Sequence, residues 1–407
     1  MGNAGYEYRF LEPVDVLFLR GNRLFGEAGS YGESQMPPWP SVAAGAIRSR
    51  MLADKHADLA DFVANRLDDP ELGTPANPGS FVLAGFYLAR RFSNGSLEML
   101  AALPADLVVN RPESGELELR QVNPQPVAFS TSYPLPMLPV MKQGAKRGKP
   151  ATGYWLTQAG WEAYLRGNIP LKEHLVDSRR LWRDDTRIGI GLSSVTRGVE
   201  QSRLFSVQAI VPYKSGHPIG KGKDAADYDV GFLAVVRGAV PPESGLLRFG
   251  GDGRATTISK VDFVLPEPDY EAIARDGRCR IVLTTPGLFP QGWRLPGTDG
   301  NNRVTLPGGI RGRLVSAAVP RTEMLSGWDL ANDRPKAAQR VAPAGSVYWL
   351  DELEAAPEAL RKLVEEGLWL DEAEDNDGGA VPDASRRAEG FNRIAIAAWP
   401  HPHRQVM

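Results

Sequence analysis

The sequence predicts an α+β fold, and three observations carry that prediction. Short segments rich in β-forming residues, such as 279-CRIVLTTPGLF-289, recur along the 407 residues. Few helical segments stand between them, and proline or serine at the start and glycine at the end mark their limits. Each half of the chain has the coarse order β-α-β-β-α-β, which is the order of a ferredoxin-like (RRM-like) domain. We therefore expect two such domains in tandem, at residues 1–267 and 268–407.

The first half begins with a predicted strand at 14-VDVLFLR-20. A helix is expected from Ser41, a good N-cap, through the small-residue run VAAGAIRSRML. Residues at about 54–180 carry proline and glycine at short intervals with little periodicity, so they are expected to form a large insertion in this domain. The remaining predicted elements are a β-hairpin at 187–194 and 203–213, strands at 229–238 and 255–265, and a short helix at 241–248.

The second half follows the same plan more compactly. A helix is expected at 356–367, because Pro357 suits a first turn and Gly367 suits a C-terminal stop. Strands are predicted at 279–285, 314–321, 346–353 and 393–399.

Composition indicates an ordinary globular protein with uneven charge. Hydrophobic residues make up 42% and charged residues 24%, and the net charge is −2. This balance argues against a free-standing, non-specific nucleic-acid binder. Basic and acidic residues are nevertheless segregated, with four basic residues in 142–149 and seven acids in 365–377. The single cysteine, Cys279, excludes an internal disulfide and a multi-cysteine zinc site.

The N-terminal residues lack the features of a signal peptide, and no apolar run is long enough to span a bilayer. We therefore expect a cytoplasmic protein without a membrane partner. No metal-ligand spacing or nucleotide-binding motif is evident, so no metal and no cofactor are predicted.

Eight short motifs occur in an order that resembles a known family. They include RGNRLFGEAG at 20–29, FGGDGRA at 249–255, TPGLFPQGW at 285–293, SGWDL at 326–330 and PAGSVYWL at 343–350. Each motif alone is weak, but their order over residues 14–353 resembles the third subunit of the Cmr module, the type III-B CRISPR effector complex of the RAMP superfamily.

The resemblance implies a function in antiviral defence. A subunit of this kind is non-catalytic, binds and caps the 5′ handle of the CRISPR RNA (crRNA), and bridges the large polymerase-like subunit to the backbone filament. Its implied partners are the crRNA handle, the large subunit and the adjacent RAMP backbone subunit, with target RNA met only indirectly. RAMP proteins usually carry a glycine-rich loop before the last strand. The corresponding residues, 389-EGFNRIAI-396, hold one glycine, which leaves RNA contact by that loop in doubt.

The strongest candidate RNA site is the loop formed by Gly250, Gly251, Asp252, Gly253 and Arg254. Glycines allow close approach of the backbone, so successive N–H groups can bind a phosphate, and an arginine adds a charge-assisted hydrogen bond. The alternative is a plain turn in which Arg254 is solvated or paired with Asp252.

Further candidates come from charge and stacking chemistry, because single-stranded RNA is bound through phosphate contacts and base stacking. Arg48 is preferred over Arg50 on the first helix, although it is also consistent with an ordinary surface arginine. Tryptophan more often ends in a core than on a base. The basic residues near 142–149 are equally consistent with a solvated loop. The candidates are Arg20, Arg23, Arg48, Lys142, Arg147, Trp293 and Arg294, with Trp328 as a second possible stacking residue.

Two other functions remain open on the sequence alone. A RAMP-fold endoribonuclease that processes CRISPR repeat RNA would need an acid–base group near the RNA, and only His217 offers one. An unrelated two-domain cytosolic protein would make the basic loops incidental. Cleavage of repeat RNA and retention of RNA in pull-downs discriminate among the three.

Overall fold

The computed structural model describes residues 5–19, 31–67, 69–75, 77–111, 117–126, 129–141, 149–193, 196–220, 224–329, 334–370 and 384–401. These residues form mostly strands with few helices, which confirms the predicted α+β class. The helices are α1 (Pro40–Asp54), α2 (Leu59–Val63), α3 (Gln158–Leu165), α4 (Tyr270–Asp276), α5 (Pro357–Glu366) and α6 (Ala384–Ala388).

The strands fall into two main sheets and several small ones. Those of the first 267 residues are β1 (Tyr6–Pro13), β2 (Tyr31–Gly32), β3 (Val82–Phe92), β4 (Leu97–Ala102), β5 (Leu107–Arg111), β6 (Glu118–Pro126), β7 (Met137–Met141), β8 (Lys149–Ala151), β9 (Tyr154–Thr157), β10 (Leu175–Asp177), β11 (Trp182–Leu192), β12 (Val199–Pro212), β13 (Tyr228–Arg237), β14 (Ser244–Arg248) and β15 (Ala255–Lys260). The later strands are β16 (Cys279–Leu283), β17 (Arg303–Leu306), β18 (Ile310–Ala318), β19 (Glu323–Leu325), β20 (Trp328–Asp329), β21 (Arg334–Pro335), β22 (Gln339–Val341), β23 (Val347–Glu354) and β24 (Ile394–Ala398).

The first main sheet has eight strands in the order β10-β9-β4-β3-β13-β1-β15-β14. An interior strand of this sheet is β1, the third from the β14 edge, which pairs antiparallel with β13 on one side and β15 on the other. The predicted first strand at 14–20 was therefore placed too late. Pro13 ends β1 because proline cannot continue the ladder, and among residues 14–19 only Leu17 forms a bridge, to Ile210.

Helix α1 covers one face of this sheet. Ala43 and Ile47 pack in one apolar cluster with Leu11 and Phe232 of the sheet, and small residues on the helix allow this close approach. The helix begins at Pro40 after Trp39, so Ser41 is inside the helix rather than its N-cap. Proline at the first position provides the start, since its missing N–H would have no partner there.

The segment at 54–180 contributes to the first sheet as well as forming a separate one. It supplies β3, β4, β9 and β10, and β3 pairs with β13, the neighbour of β1. A four-stranded sheet of order β7-β6-β5-β8 lies within the same segment. The predicted hairpin is confirmed as β11 and β12, and strands β13 and β15 lie where they were expected. The predicted helix at 241–248 is wrong, because Ser244–Arg248 pairs with Ala255–Ser259 as strand β14.

The second main sheet has five strands in the order β17-β18-β23-β16-β24. Helix α5 starts at Pro357 and ends before Gly367, as predicted, and Leu360 and Leu363 are its buried residues. Helix α4 begins with an Asp269 side chain that accepts from the Ala272 N–H at 2.8 Å. Both helices pack in the same apolar cluster as Ile281 of β16.

The two main sheets share a third apolar cluster, which we call the seam. Phe10 and Leu233 of the first sheet pack there with Val282 and Trp349 of the second. Arg280 of β16 lies in this seam and is 1% exposed. Its guanidinium donates to Asp106 Oδ2 at 2.8 Å and to the carbonyls of Tyr164 and Ala398, at 3.0 and 2.8 Å from Nη2.

Tyr164 completes this buried network. Its hydroxyl donates to Asp106 Oδ1 at 2.8 Å, and the Arg280 guanidinium carbon lies 4.1 Å from its ring centroid. Burial raises the pKa of Tyr164 well above its usual value. Burial alone would lower the pKa of Arg280, but Tyr164 and Asp106 together raise it. A buried charged pair, in which each guanidinium nitrogen forms a hydrogen bond, thus joins β16 of the second sheet to the segment that follows β4 of the first.

Candidate nucleic-acid interface

The glycine loop at 250–254 is the turn of the hairpin formed by β14 and β15. Gly250 has a φ of 75°, and a Cβ there would lie 2.8 Å from the Phe18 carbonyl oxygen. The Gly251 N–H donates to that same carbonyl at 2.7 Å. Glycine is therefore required here for a close approach to the backbone at Phe18, and one N–H of the predicted phosphate site is already used within the chain.

Arg254 lies over the ring of Phe18 rather than beside Asp252. Its guanidinium carbon is 4.7 Å from the ring centroid, and its Nε is buried without a hydrogen-bond partner in the described part of the chain. No ion pair joins Arg254 to Asp252 among these residues. The aromatic ring holds the guanidinium in place by a cation–π contact and leaves its terminal nitrogens available to an oxyanion.

Two further arginines, which the sequence did not single out, flank the same turn. Arg187 of β11 places its guanidinium carbon 5.8 Å from the Phe18 centroid, and its Nε donates to Asp185 at 3.0 Å. Arg248 is exposed at the end of β14, and a Cβ on Gly253 would lie 3.4 Å from its Cδ. We call Arg187, Arg248 and Arg254 the turn arginines. Arg248 could have been found from its nearness to the glycines, whereas Arg187 is brought in by a distant hairpin.

Arg48 and Arg50 both have partners within the protein. Arg48 donates to the Leu72 carbonyl at 2.6 Å and lies 5.9 Å from the Phe81 ring centroid. Burial lowers the pKa of its guanidinium. Arg50 donates to Asp54 at 2.7 Å and to the carbonyl of Leu246 on β14. These contacts tie α1 to its neighbours, and an RNA contact by Arg48 stays a prediction.

Trp293 and Arg294 lie in the second half of the chain, between Phe289 and Leu295, which pack in the apolar cluster of the second sheet. Trp293 is 36% exposed, and its carbonyl accepts from the Tyr348 hydroxyl at 2.7 Å. Arg294 donates to Asn302 Oδ1 at 2.9 Å and to the Asp299 carbonyl, so it braces the following turn. An exposed third of an indole is compatible with stacking on a base.

Four predicted residues, Arg20, Arg23, Lys142 and Arg147, lie outside the described residues, as does the side chain of Trp328.

His217 lies in an exposed turn, where its backbone N–H donates to the Lys214 carbonyl at 3.0 Å. Its ring has no hydrogen bond to another described residue, so nothing positions it as an acid or base.

Within the described ranges, no group of three or more His, Cys, Asp or Glu side chains is arranged to hold a metal ion. No described helix is long and apolar enough to cross a membrane.

Comparison with known proteins gives one family and several similar folds. A family model described as CRISPR-associated protein (Cas_Cmr3) matches residues 9–399. One chain of a cryo-EM structure of the Type III-B Cmr-beta bound to cognate target RNA is 13% identical, with 95% of this chain and 96% of that chain covered and a TM-score of 0.47. A chain of the same assembly with cognate target RNA and AMPPnP, state 1, is 15% identical, with 96% and 98% covered and a TM-score of 0.46. No curated protein sequence matches the chain.

Proposed function

The chain belongs to the Cas_Cmr3 family of CRISPR-associated proteins, and on this premise we propose that it is a non-catalytic subunit of a type III-B effector complex in antiviral defence. In this proposal it binds and caps the 5′ handle of the crRNA and bridges the large polymerase-like subunit to the adjacent RAMP backbone subunit. It meets target RNA only through the assembled complex and works in the cytoplasm. The family match over residues 9–399, which includes both main sheets, is the observation that carries the proposal.

We further infer that the main sheets are the cores of two ferredoxin-like domains, at residues 1–267 and 268–407. The order β15-β1-β13-β3 places the last strand next to the first in an antiparallel sheet, and β24-β16-β23-β18 repeats that arrangement. Each domain keeps one crossover helix, α1 between β1 and β3 in the first and α5 between β23 and β24 in the second. An experimental structure with a different strand order in either sheet would refute this inference.

The turn arginines support an RNA-binding role. Arg187 and Arg254 approach one phenylalanine ring, and Arg248 flanks the same glycine turn, so three cations line a short stretch of surface. Phosphates of a single strand favour such a surface, and arginine supplies paired N–H donors to each of them. Of the candidates from sequence, Gly250, Gly251, Gly253 and Arg254 belong to this surface, and Trp293 with Arg294 is proposed as a separate contact.

The test compares Arg254→Ala with Arg340→Ala, an exposed arginine on β22 that serves as the control. The full chain is titrated with a single-stranded RNA carrying the crRNA handle, at fixed salt and then across a salt series. We expect Arg254→Ala to weaken binding by about 1–3 kcal/mol and to reduce the magnitude of the salt slope by roughly 0.7, as for one lost phosphate contact. Equal dissociation constants for the two variants would remove Arg254 from the site.

The non-catalytic part of the proposal has its own test. The purified chain is incubated with CRISPR repeat RNA in the presence of a chelator, and the products are separated by length. Discrete cleavage that is lost in His217→Ala would overturn the proposal and favour an endoribonuclease.

A further inference from the structure

Arg393 is a buried arginine whose donors are not all used. It stands directly before β24, is 2% exposed, and donates from Nη1 to the Glu365 carbonyl at 2.9 Å. Its Nε and Nη2 are both buried and have no hydrogen-bond partner among the described residues. No other side chain in the described ranges leaves two buried polar atoms unpaired. Such groups usually find a partner in the chain, in water or in a ligand.

The surroundings of Arg393 add positive charge instead of neutralising it. Burial, followed by repulsion from Arg237, lowers the pKa of Arg393 to about 10, and Arg387 acts in the same direction. Arg237 ends β13 of the first sheet, and the hydroxyl of Tyr6 beside it on β1 is hydrogen-bonded to it. Within the described residues, none of the three arginines forms an ion pair with a carboxylate.

The three arginines belong to elements that pack together where the two halves of the chain touch, and Arg237 of β13 pairs with Val82 of β3. Arg387 belongs to α6, which packs against β3 of the first sheet. Gly390 has a φ of 88°, and a Cβ there would lie 2.6 Å from the Leu83 carbonyl oxygen, so the turn before Arg393 is pressed against β3. We call Arg237, Arg387 and Arg393 the seam-edge arginines. Both Arg237 and the turn before Arg393 therefore adjoin the first residues of β3.

We propose that the seam-edge arginines bind a phosphate group at the boundary between the two halves of the chain. Guanidinium groups match phosphate oxygens with paired N–H donors, and an oxyanion supplies both the missing acceptors and the missing charge. Arg237 and Arg387 are half-buried, so the phosphate enters from their side. The unpaired Nε and Nη2 of Arg393 are covered, so the proposal requires one of the two outer arginines to move aside when the phosphate binds. This site shares no residue with the glycine turn at 250–254.

The experiment measures thermal unfolding of the full chain in sodium phosphate and in sodium chloride at equal ionic strength. Phosphate also stabilises proteins by exclusion from their surfaces, so the informative quantity is the saturable part of the shift. The variants are Arg237→Gln and Arg387→Gln, with Arg340→Gln as the matched control. We expect a saturable rise in Tm for the wild type and the control, and loss of saturation or at least a tenfold higher half-saturating concentration in both site variants.

A second arm identifies the source of the phosphate. The dinucleotide UpU, which carries one phosphodiester, replaces inorganic phosphate in the same four proteins. A saturable response to UpU alone assigns the site to a nucleic-acid phosphodiester, and a response to inorganic phosphate alone assigns it to a free phosphate. A shift of the same size and form in all four proteins with both ligands, or no saturable shift in the wild type, overturns the proposal. Neither result bears on whether Arg254 binds the handle.

Discussion

Arg280 and Arg393 are both fully buried in the second half of the chain, yet their surroundings are opposite. Arg280 faces Asp106 and uses each of its three nitrogens, whereas Arg393 donates one hydrogen bond to a carbonyl and faces other arginines. A buried charge is tolerated when an opposite charge and hydrogen bonds replace water, and it is costly otherwise. The comparison teaches that burial alone does not show what an arginine does. The groups around a buried arginine decide whether it stabilises the packing of the chain or keeps donors that a ligand can bind.

The largest expected change in stability comes from breaking the ion pair between Arg280 and Asp106. Arg280→Met removes the cation but leaves Asp106 buried, so the free energy of unfolding should fall by about 3–5 kcal/mol. Urea unfolding followed by tryptophan fluorescence measures this change. Adding Asp106→Asn to the same chain should recover part of the loss, because the uncompensated carboxylate is then gone. A loss below about 1 kcal/mol in the single variant would show that the pair contributes little to joining the sheets.

A change in stability of the opposite sign is expected when Arg393, which lacks partners for two of its nitrogens, is replaced. Arg393→Met removes a buried cation that has no carboxylate partner and loses only the hydrogen bond to Glu365, so the free energy of unfolding should rise by about 1–2 kcal/mol. The same urea experiment, run in chloride without phosphate, measures it. The saturable part of the stabilisation by phosphate should then be absent in the variant. Destabilisation as large as that of Arg280→Met would contradict the comparison, since it would mean that Arg393 has partners of equal value.

The smallest expected effect is a pH dependence at Cys279, the neighbour of Arg280 on β16. Burial raises the pKa of its thiol to about 12 from the ordinary value of 9.0, although Arg280 opposes the shift. The unfolded chain therefore releases this proton first as pH rises, and the free energy of unfolding falls through the window from 9 to 12. Between pH 8 and 9.5 the loss should be about 0.8 kcal/mol. The difference between wild type and Cys279→Val over that range isolates the thiol, and equal slopes would mean that water reaches β16.

Prolines and glycines at helix ends explain which parts of the fold the sequence could predict. Pro357 starts α5 because a first-turn proline has no N–H to leave unpaired, and Gly367 ends the helix with a φ of 83°. The start of α1 was predicted one residue late, at Ser41, although Pro40 acts in the same way. The first strand was misplaced because residues 6–13 and 14–20 are both rich in β-formers. Which of them joins the sheet depends on pairing with β13, a contact that no local pattern encodes. The helix predicted at 241–248 was wrong for the same reason, because pairing with β15 makes Ser244–Arg248 an edge strand.

The candidate site was predictable only where its residues follow one another in the sequence. The glycine turn and Arg254 stand side by side and could be recognised as a unit, whereas Phe18 and Arg187 reach them through tertiary contacts. The pairing of Arg280 with Asp106 and the isolation of Arg393 have no sequence signature either. Both depend on which residues the packing of two sheets brings within a few ångströms.

The position of β1 inside the first sheet, with a neighbour on each side, has a consequence for synthesis of the chain. Its two neighbours, β13 and β15, lie more than 200 residues downstream, as the bonds from Arg9 to the carbonyls of Pro241 and Pro242 also illustrate. At about 5–20 residues per second, a ribosome needs on the order of 10–45 s to deliver those partners. During that time Phe10 and Leu11 remain without their sheet. The earliest strand made is thus among the last to be enclosed, and this interval is when the nascent protein depends most on protection from aggregation.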